Sequence, residues 1–248
     1  MENYIYGKNA VFETLSNNPK RVNKVFIQKN IGLDNRLKKI KDLCRENSVI
    51  LNFTDFSKFF ELFNVKENNI NLQGVVASVA PVEYKDFDEF LNEKKEGYKK
   101  IIILDGVMDP HNFGAIIRTA AAGDYDGIII PNHRSCPVNS TVEKISSGAV
   151  NKVPIIKVNS LTSAVQKLKE NDWWIIALDV DADDNYLDVD YKNMNFALVF
   201  GSEGDGISKT ILKLSDYKVK LMTNFESLNV SCCCAVIVYE TLRQINYT

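Results

Sequence analysis

Three short segments combine residue types that could do chemistry. In Asp109-Pro110-His111-Asn112-Phe113-Gly114-Ala115-Ile116-Ile117-Arg118-Thr119-Ala120, a Pro follows a β-branched run and Asn112 reads as the N-cap of a helix. Gly114 and Ala115 then fall in the first turn, where small residues let an anion approach the free backbone N–H groups. Arg118 lies among Ile116, Ile117, Ala120, Ala121 and Ala122, on a helix expected to be largely buried. A buried charge without a partner is costly, so Arg118 calls for either an internal ion pair or a substrate anion.

The second segment is Leu198-Val199-Phe200-Gly201-Ser202-Glu203-Gly204-Asp205-Gly206-Ile207-Ser208, a buried strand running through a glycine-rich turn into a helix. Its spacing, Gly-x-x-Gly-x-Gly, matches neither the dinucleotide fingerprint nor the phosphate loop ending in Gly-Lys-Ser/Thr. Triphosphate hydrolysis and a nicotinamide oxidoreductase are both disfavoured. Glu203, held between glycines at a strand end, is either a solvated turn residue or a carboxylate facing a cationic or hydroxyl-bearing ligand. In the third segment, Ser227-Leu228-Asn229-Val230-Ser231 precedes Cys232-Cys233-Cys234-Ala235-Val236-Ile237-Val238-Tyr239-Glu240. Ser227 or Asn229 can cap the last helix, and two polar residues flanking Leu228 exceed what a cap requires. The helix is apolar nearly all round, which predicts burial in the core or against a partner subunit.

The elements that must position these segments follow from the pattern. From Lys100 onward, short β-branched runs at 101–104, 127–130, 153–158, 173–178, 196–200 and 218–221 alternate with helical spacing near 113–122, 140–149, 160–170, 207–214 and 229–245. That alternation predicts an α/β fold with a mainly parallel sheet covered on both faces. Upstream, helix-like spacing around 10–15, strands at 22–28 and 75–80, and an intervening basic helix predict a small α/β domain. In the basic helix, Leu33, Leu37, Ile40 and Cys44 form the apolar stripe, and Arg36, Lys38, Lys39, Lys41 and Arg45 stand around it. That face is either merely solvated or a contact for RNA phosphates. The expected domains are 1–80, a charged linker at 81–97, and 98–248.

Composition bounds the rest. The 248 residues are 45 % apolar and 25 % charged, which suits folded rather than disordered chains. The longest apolar run, Cys232 to Tyr239, is eight residues, far short of the roughly 18 to 20 that span a bilayer. Met1-Glu2-Asn3-Tyr4 has no basic-then-apolar order of a signal peptide, so the expected compartment is cytoplasmic, with no membrane partner. Five cysteines, three of them adjacent, make neither a disulfide framework nor a Cys-x-x-Cys site; they are read as reduced, with no metal. A net charge of −2 argues against nucleic acid, but residues 1–80 carry 12 basic and 8 acidic side chains while the remainder carries 18 and 24. The basic excess sits in the first domain.

The three segments, in this order, resemble the three motifs of the SpoU family of RNA 2′-O-ribose methyltransferases. Tyr6-Gly7-Lys8-Asn9-Ala10-Val11 and Gln73-Gly74-Val75-Val76-Ala77 likewise resemble the family's accessory substrate-binding domain, so the likeness covers nearly the whole chain. It is nearest to the enzymes that methylate a guanosine of large-subunit (23S) ribosomal RNA, with transfer-RNA guanosine enzymes as close relatives. The resemblance implies S-adenosyl-L-methionine as methyl donor, a C-terminal trefoil knot, and a homodimer joined through the last helix. It assigns catalysis to Asn112, Arg118, Glu203, Ser227 and Asn229, and donor contacts to Leu178, Gly201, Gly204, Leu221 and Leu228. Arg118 serves as an anion contact rather than a neutral base, because deprotonating a group of pKa above about 12 near neutrality costs roughly 7 kcal/mol. Two departures stand out. Lys220-Leu221-Met222-Thr223-Asn224-Phe225-Glu226 is shorter than the family pattern and has neither Pro nor Gly, and Asn151 stands where relatives usually carry Glu. A non-catalytic RNA-binding relative that has lost donor binding through that loop is the alternative.

Overall fold

The computed structural model describes residues 3–32, 34–55, 58–59, 72–224 and 228–247. They form two compact units, one of Met1–Val82 with Val138–Lys152 and one of Glu83–Pro137 with Val153–Thr248.

The first unit is built on strands β1 (Asn3–Tyr6), β2 (Val22–Gln28), β3 (Ile50–Thr54) and β4 (Val75–Val79), in the order β1-β4-β2-β3. Helix α1 (Lys8–Asn17) follows β1. Strands β2 and β3 are parallel, and a parallel pair requires a crossover, which α2 (Asn35–Glu46) supplies. Asp34 caps α2 by accepting from Leu37 N at 2.8 Å. Leu37, Ile40 and Cys44 are buried, while Lys38, Lys39 and Arg45 are exposed; Leu33, read as part of the same stripe, lies outside the described residues. The guanidinium of Arg36 rests 4.2 Å from the Phe12 ring centroid, within cation–π range.

The segment 138–152, expected within the second domain, packs with the first. Its helix α5 (Ser140–Ile145) carries Glu143, which pairs with Arg21 at 2.9 Å, both side chains being 6 % exposed. Arg21 also donates through Nη1 to Asn151 Oδ1 at 2.8 Å and through Nε to Ala80 O at 2.8 Å. Asn151 Nδ2 donates in turn to Thr14 Oγ1 at 3.0 Å. Thus Asn151, the departure from the family's Glu, shares the buried guanidinium with Glu143. Burial raises the carboxyl pKa of Glu143, with Arg21 opposing the shift.

The second unit holds β5 (Lys100–Asp105), β6 (Gly127–Pro131), β7 (Ile155–Val158), β8 (Trp173–Leu178), β9 (Asp184–Asn185), β10 (Asn195–Gly201) and β11 (Tyr217–Lys220), in the order β7-β6-β5-β10-β8-β11-β9. All of these pairings are parallel, as the alternating pattern predicts. The stretch expected as a linker is only partly one. It contains α3 (Phe87–Asn92), capped by Asp86, and Phe90 is 1 % exposed in the same core as Ile101, Ile103 and Trp173. Helix α6 (Leu161–Lys169) packs on that face through Val165 and Leu168.

Helix α4 (Pro110–Ala122) follows β5, α7 (Lys209–Leu214) follows β10, and α8 (Val230–Tyr247) closes the chain. Helix α8 packs along α4. A Cβ at Gly123, which ends α4, would come within 2.4 Å of Val238 Cγ1 on α8, so the glycine permits this approach. The last helix is not buried all round: Val230, Cys234, Ile237, Val238 and Thr241 are buried, whereas Cys232, Val236, Tyr239 and Arg243 face outward. No helix among the described residues is long and apolar enough to cross a membrane.

Candidate active site

Strand order reverses at β5 and β10, which lie side by side while their sequence neighbours run outward to either side. The crevice outside the carboxyl ends of such strands is where parallel sheets bind ligands. Asp105 ends β5 and Gly201 ends β10, in register with each other.

The expected cap at Asn112 is displaced by one turn. Asp109 is the N-cap, its carboxylate accepting from Asn112 N at 2.9 Å. Pro110 takes the first helical position, where a missing N–H costs nothing. Asn112, relieved of capping, is buried and donates through Nδ2 to Glu203 Oε1 at 2.8 Å. Asn229 donates through its own Nδ2 to Asn112 Oδ1 at 2.9 Å and to Glu203 Oε1 at 2.8 Å. Its Oδ1 accepts from Ser231 N at 2.9 Å and from Ser231 Oγ at 2.6 Å, so Asn229 caps α8 as expected while joining the ring. Two amides converge on one carboxylate oxygen. Among the described residues, Glu203 Oε2 accepts no hydrogen bond, and no cation pairs with this carboxylate.

The loop that carries Glu203 is closed on itself. Ser202 N donates to Gly206 O and Gly206 N to Ser202 O, both at 3.1 Å, and Gly206 has φ +66°. A Cβ at Gly201 would sit 2.1 Å from the Gly206 carbonyl carbon, so no side chain fits there. Gly204 faces open space.

Beside the ring lie two adjoining cavities of about 690 Å³ each. Leu178, Asp179, Val180, Leu228 and Cys233 line both; Val219 through Asn224 complete the first, and Phe200 through Ile207 with Asn229 line the second. The residues assigned to the donor therefore stand in these walls: Leu178 and Leu228 in both, Leu221 in the first, Gly201 and Gly204 in the second. Val180, Met222 and Leu228 are exposed apolar side chains at the rim. Such a patch suits a flat apolar face of a ligand. Asp179, Val180 and Cys233 were not foreseen, because nothing local marks a residue after one strand and a helical thiol as neighbours.

Arg118 departs from expectation. It is exposed, and it has no hydrogen bond or ion pair among the described residues. It stands six positions after Asn112 in the helix, which turns the two about 120° apart, so Arg118 shares the outer face of α4 with His111 and Ala122. Ser227 lies outside the described residues. No group of three or more His, Cys, Asp or Glu that could hold a metal ion occurs among the described residues.

Comparison with known proteins identifies the family and the fold. Residues 99–239 match the SpoU rRNA methylase family, and residues 4–85 match the family described as RNA 2′-O ribose methyltransferase substrate binding. A protein of Staphylococcus haemolyticus named as a TrmH-family tRNA/rRNA methyltransferase is 36 % identical over 247 residues, covering 97 % of this chain and 95 % of its own length. Among solved structures, the SpoU methyltransferase AviRb of Streptomyces viridochromogenes in complex with AdoMet superposes with TM-score 0.78 at 20 % identity, over 98 % of this chain and 90 % of that one. An AdoMet-bound rRNA methyltransferase of Sinorhizobium meliloti gives TM-score 0.78 at 18 % identity, over 98 % and 87 %.

Proposed function

Because the chain belongs to the SpoU rRNA methylase family, we propose that it methylates the 2′-hydroxyl of a ribose in structured RNA with S-adenosyl-L-methionine as donor. The observation that carries the reading is the ring of Asn112, Glu203 and Asn229 beside a cavity with an apolar rim. The residues present fit the donor. Gly201 leaves the backbone bare where the loop folds back, and Leu178, Val180, Leu221, Met222 and Leu228 offer apolar surface to an adenine. Bound there, the donor would supply an electrophilic methyl group on a cationic sulfur.

The chain's own part is alignment and proton handling. Holding the hydroxyl in line supplies roughly 7 to 11 kcal/mol of effective concentration. Glu203 Oε1 is occupied by two amides, which fixes the carboxylate and turns Oε2 toward the hydroxyl as a hydrogen-bond acceptor. Arg118, on the outer face of α4 and away from the ring of its own chain, would act across a homodimer on the second subunit's site, contacting the neighbouring phosphate and stabilising the developing alkoxide, with the proton leaving to that phosphate or to water. The resemblance assigns Ser227 to the same catalytic set. The first unit, with its basic α2 face, recruits the RNA.

The finer reading is a guanosine of 23S ribosomal RNA, with transfer RNA as the other target class. A homodimer through α8 accounts for the outward Val236 and Tyr239, and for Arg118, which is exposed on the helix packed beside α8 and has no partner among the described residues. The trefoil knot belongs to the same reading. Tritium transfer from labelled donor to ribosomal and transfer RNA taken from cells lacking the gene tests the activity. Incorporation that disappears in Arg118→Ala supports it; absence of binding to S-adenosylhomocysteine by calorimetry would favour a non-catalytic RNA-binding relative.

A further inference from the structure

The loop after β6 carries a cation that the roles above leave unused. Ser135 Oγ donates to Pro131 O, and Cys136 N donates to Val107 O at 3.2 Å, tying this loop to the one after β5. At its tip Arg134 has φ +59°. Seven other non-glycine residues share that left-handed region, all of them Asn, Asp, Ser or Gln; Arg134 is the one cation so held among the described residues. Its guanidinium lies beside the backbone of Gly106, where a Cβ would stand 3.9 Å from Arg134 Nη2 and 3.5 Å from Ser202 Cβ. The side chain is 70 % exposed, and its sole ion-pair partner among the described residues is Asp205, at 3.6 Å. Asp205 sits two residues from Glu203 on the same closed loop, its backbone N–H donating to Ser202 Oγ at 3.1 Å.

This placement has a physical reading. A long, exposed ion pair contributes little to stability, and five guanidinium donors are poorly used by one carboxylate oxygen at that distance. Asp205 is a carboxylate on the loop of Glu203 itself, and an anionic group of a substrate reaching that loop would compete with it for the guanidinium. We infer that Arg134 binds a backbone phosphate of the RNA, and that Asp205 holds the guanidinium in place until the phosphate displaces it. The inference rests on the proposed RNA methyltransferase function.

Opposite signs from the two partners test it. RNA affinity is measured by filter binding over a salt series, with ribosomal and transfer RNA from gene-deleted cells, alongside KM and kcat for methyl transfer. Arg134→Ala should weaken RNA binding about tenfold and lower the salt slope by about 0.7 to 1, raising KM more than it lowers kcat. Asp205→Asn should tighten binding about twofold to fivefold, and Arg134→Lys should restore the salt slope while recovering only part of the affinity. Binding and salt slope unchanged in Arg134→Ala, or Asp205→Asn weakening RNA as Arg134→Ala does, overturns the inference. If the wild type binds RNA with these opposite shifts yet transfers no methyl group, the phosphate contact stands and the methyltransferase reading falls.

Discussion

Two polar clusters, one in each unit, are made of similar groups and left in opposite states. In the first, Glu143 and Asn151 converge on Arg21, and Thr14 closes the set; the charges are paired and nearly sealed from solvent. In the second, Asn112 and Asn229 converge on Glu203, with one carboxylate oxygen open and no cation supplied by the described residues. Surplus hydrogen-bonding capacity is what a binding site needs and what a buried core cannot tolerate. The contrast therefore separates a cluster whose groups are saturated within one unit from a cluster that keeps hydrogen-bonding capacity open.

Breaking the first cluster should cost stability. Arg21→Ala leaves a buried carboxylate and an amide without their cation, and the expected loss is about 3–5 kcal/mol, read by urea unfolding. Replacing both partners, Arg21→Met with Glu143→Leu, should cost much less. Breaking the second should cost chemistry. Glu203→Gln is expected to lower kcat by about 100-fold, near 2.7 kcal/mol in the barrier, while urea unfolding shifts by less than about 0.5 kcal/mol. A Glu203→Gln enzyme that loses stability but keeps its rate would reverse the contrast.

Smaller effects sharpen it. On α2, Lys38→Ala with Lys39→Ala should lower the salt slope of RNA binding by about 0.7 to 0.9 for each phosphate contact removed, as measured by filter binding, and leave unfolding nearly unchanged. The smallest effect concerns pH. The folded state holds the Glu143 proton more tightly than the unfolded chain does, because burial raises its pKa despite Arg21. Its contribution to stability is full below the ordinary carboxylate range and is lost as pH rises through the folded value. Glu143→Gln should remove that portion of the pH dependence, seen by comparing unfolding curves of the two proteins between pH 4 and 8.

Legibility in the sequence followed how locally each feature is encoded. Val22–Gln28 and Trp173–Leu178 are strands over the bounds their β-branched and aromatic runs predict. Asn3–Tyr6 and Ile50–Thr54 were missed, being short strands at the two edges of their sheet. In the latter Ile50 and Phe53 are exposed, so burial imposes no clean alternation. The side chain of Asn112 suits a cap, but Pro110 at the first helical position makes Asp109 the N-cap of α4.

By itself, the sequence determined the parallel α/β architecture, the family, and the residue types at 112, 203 and 229, because periodicity and motif spacing are carried by near neighbours. Only the tertiary structure decided that Asn112 and Asn229 share one oxygen of Glu203, that Arg118 turns outward from them, and that 138–152 packs with the first unit around Arg21. Those outcomes join groups 91, 26 and 122 residues apart. Such meetings are set by how strands order in a sheet and which helix face finds the core, and no local pattern records them.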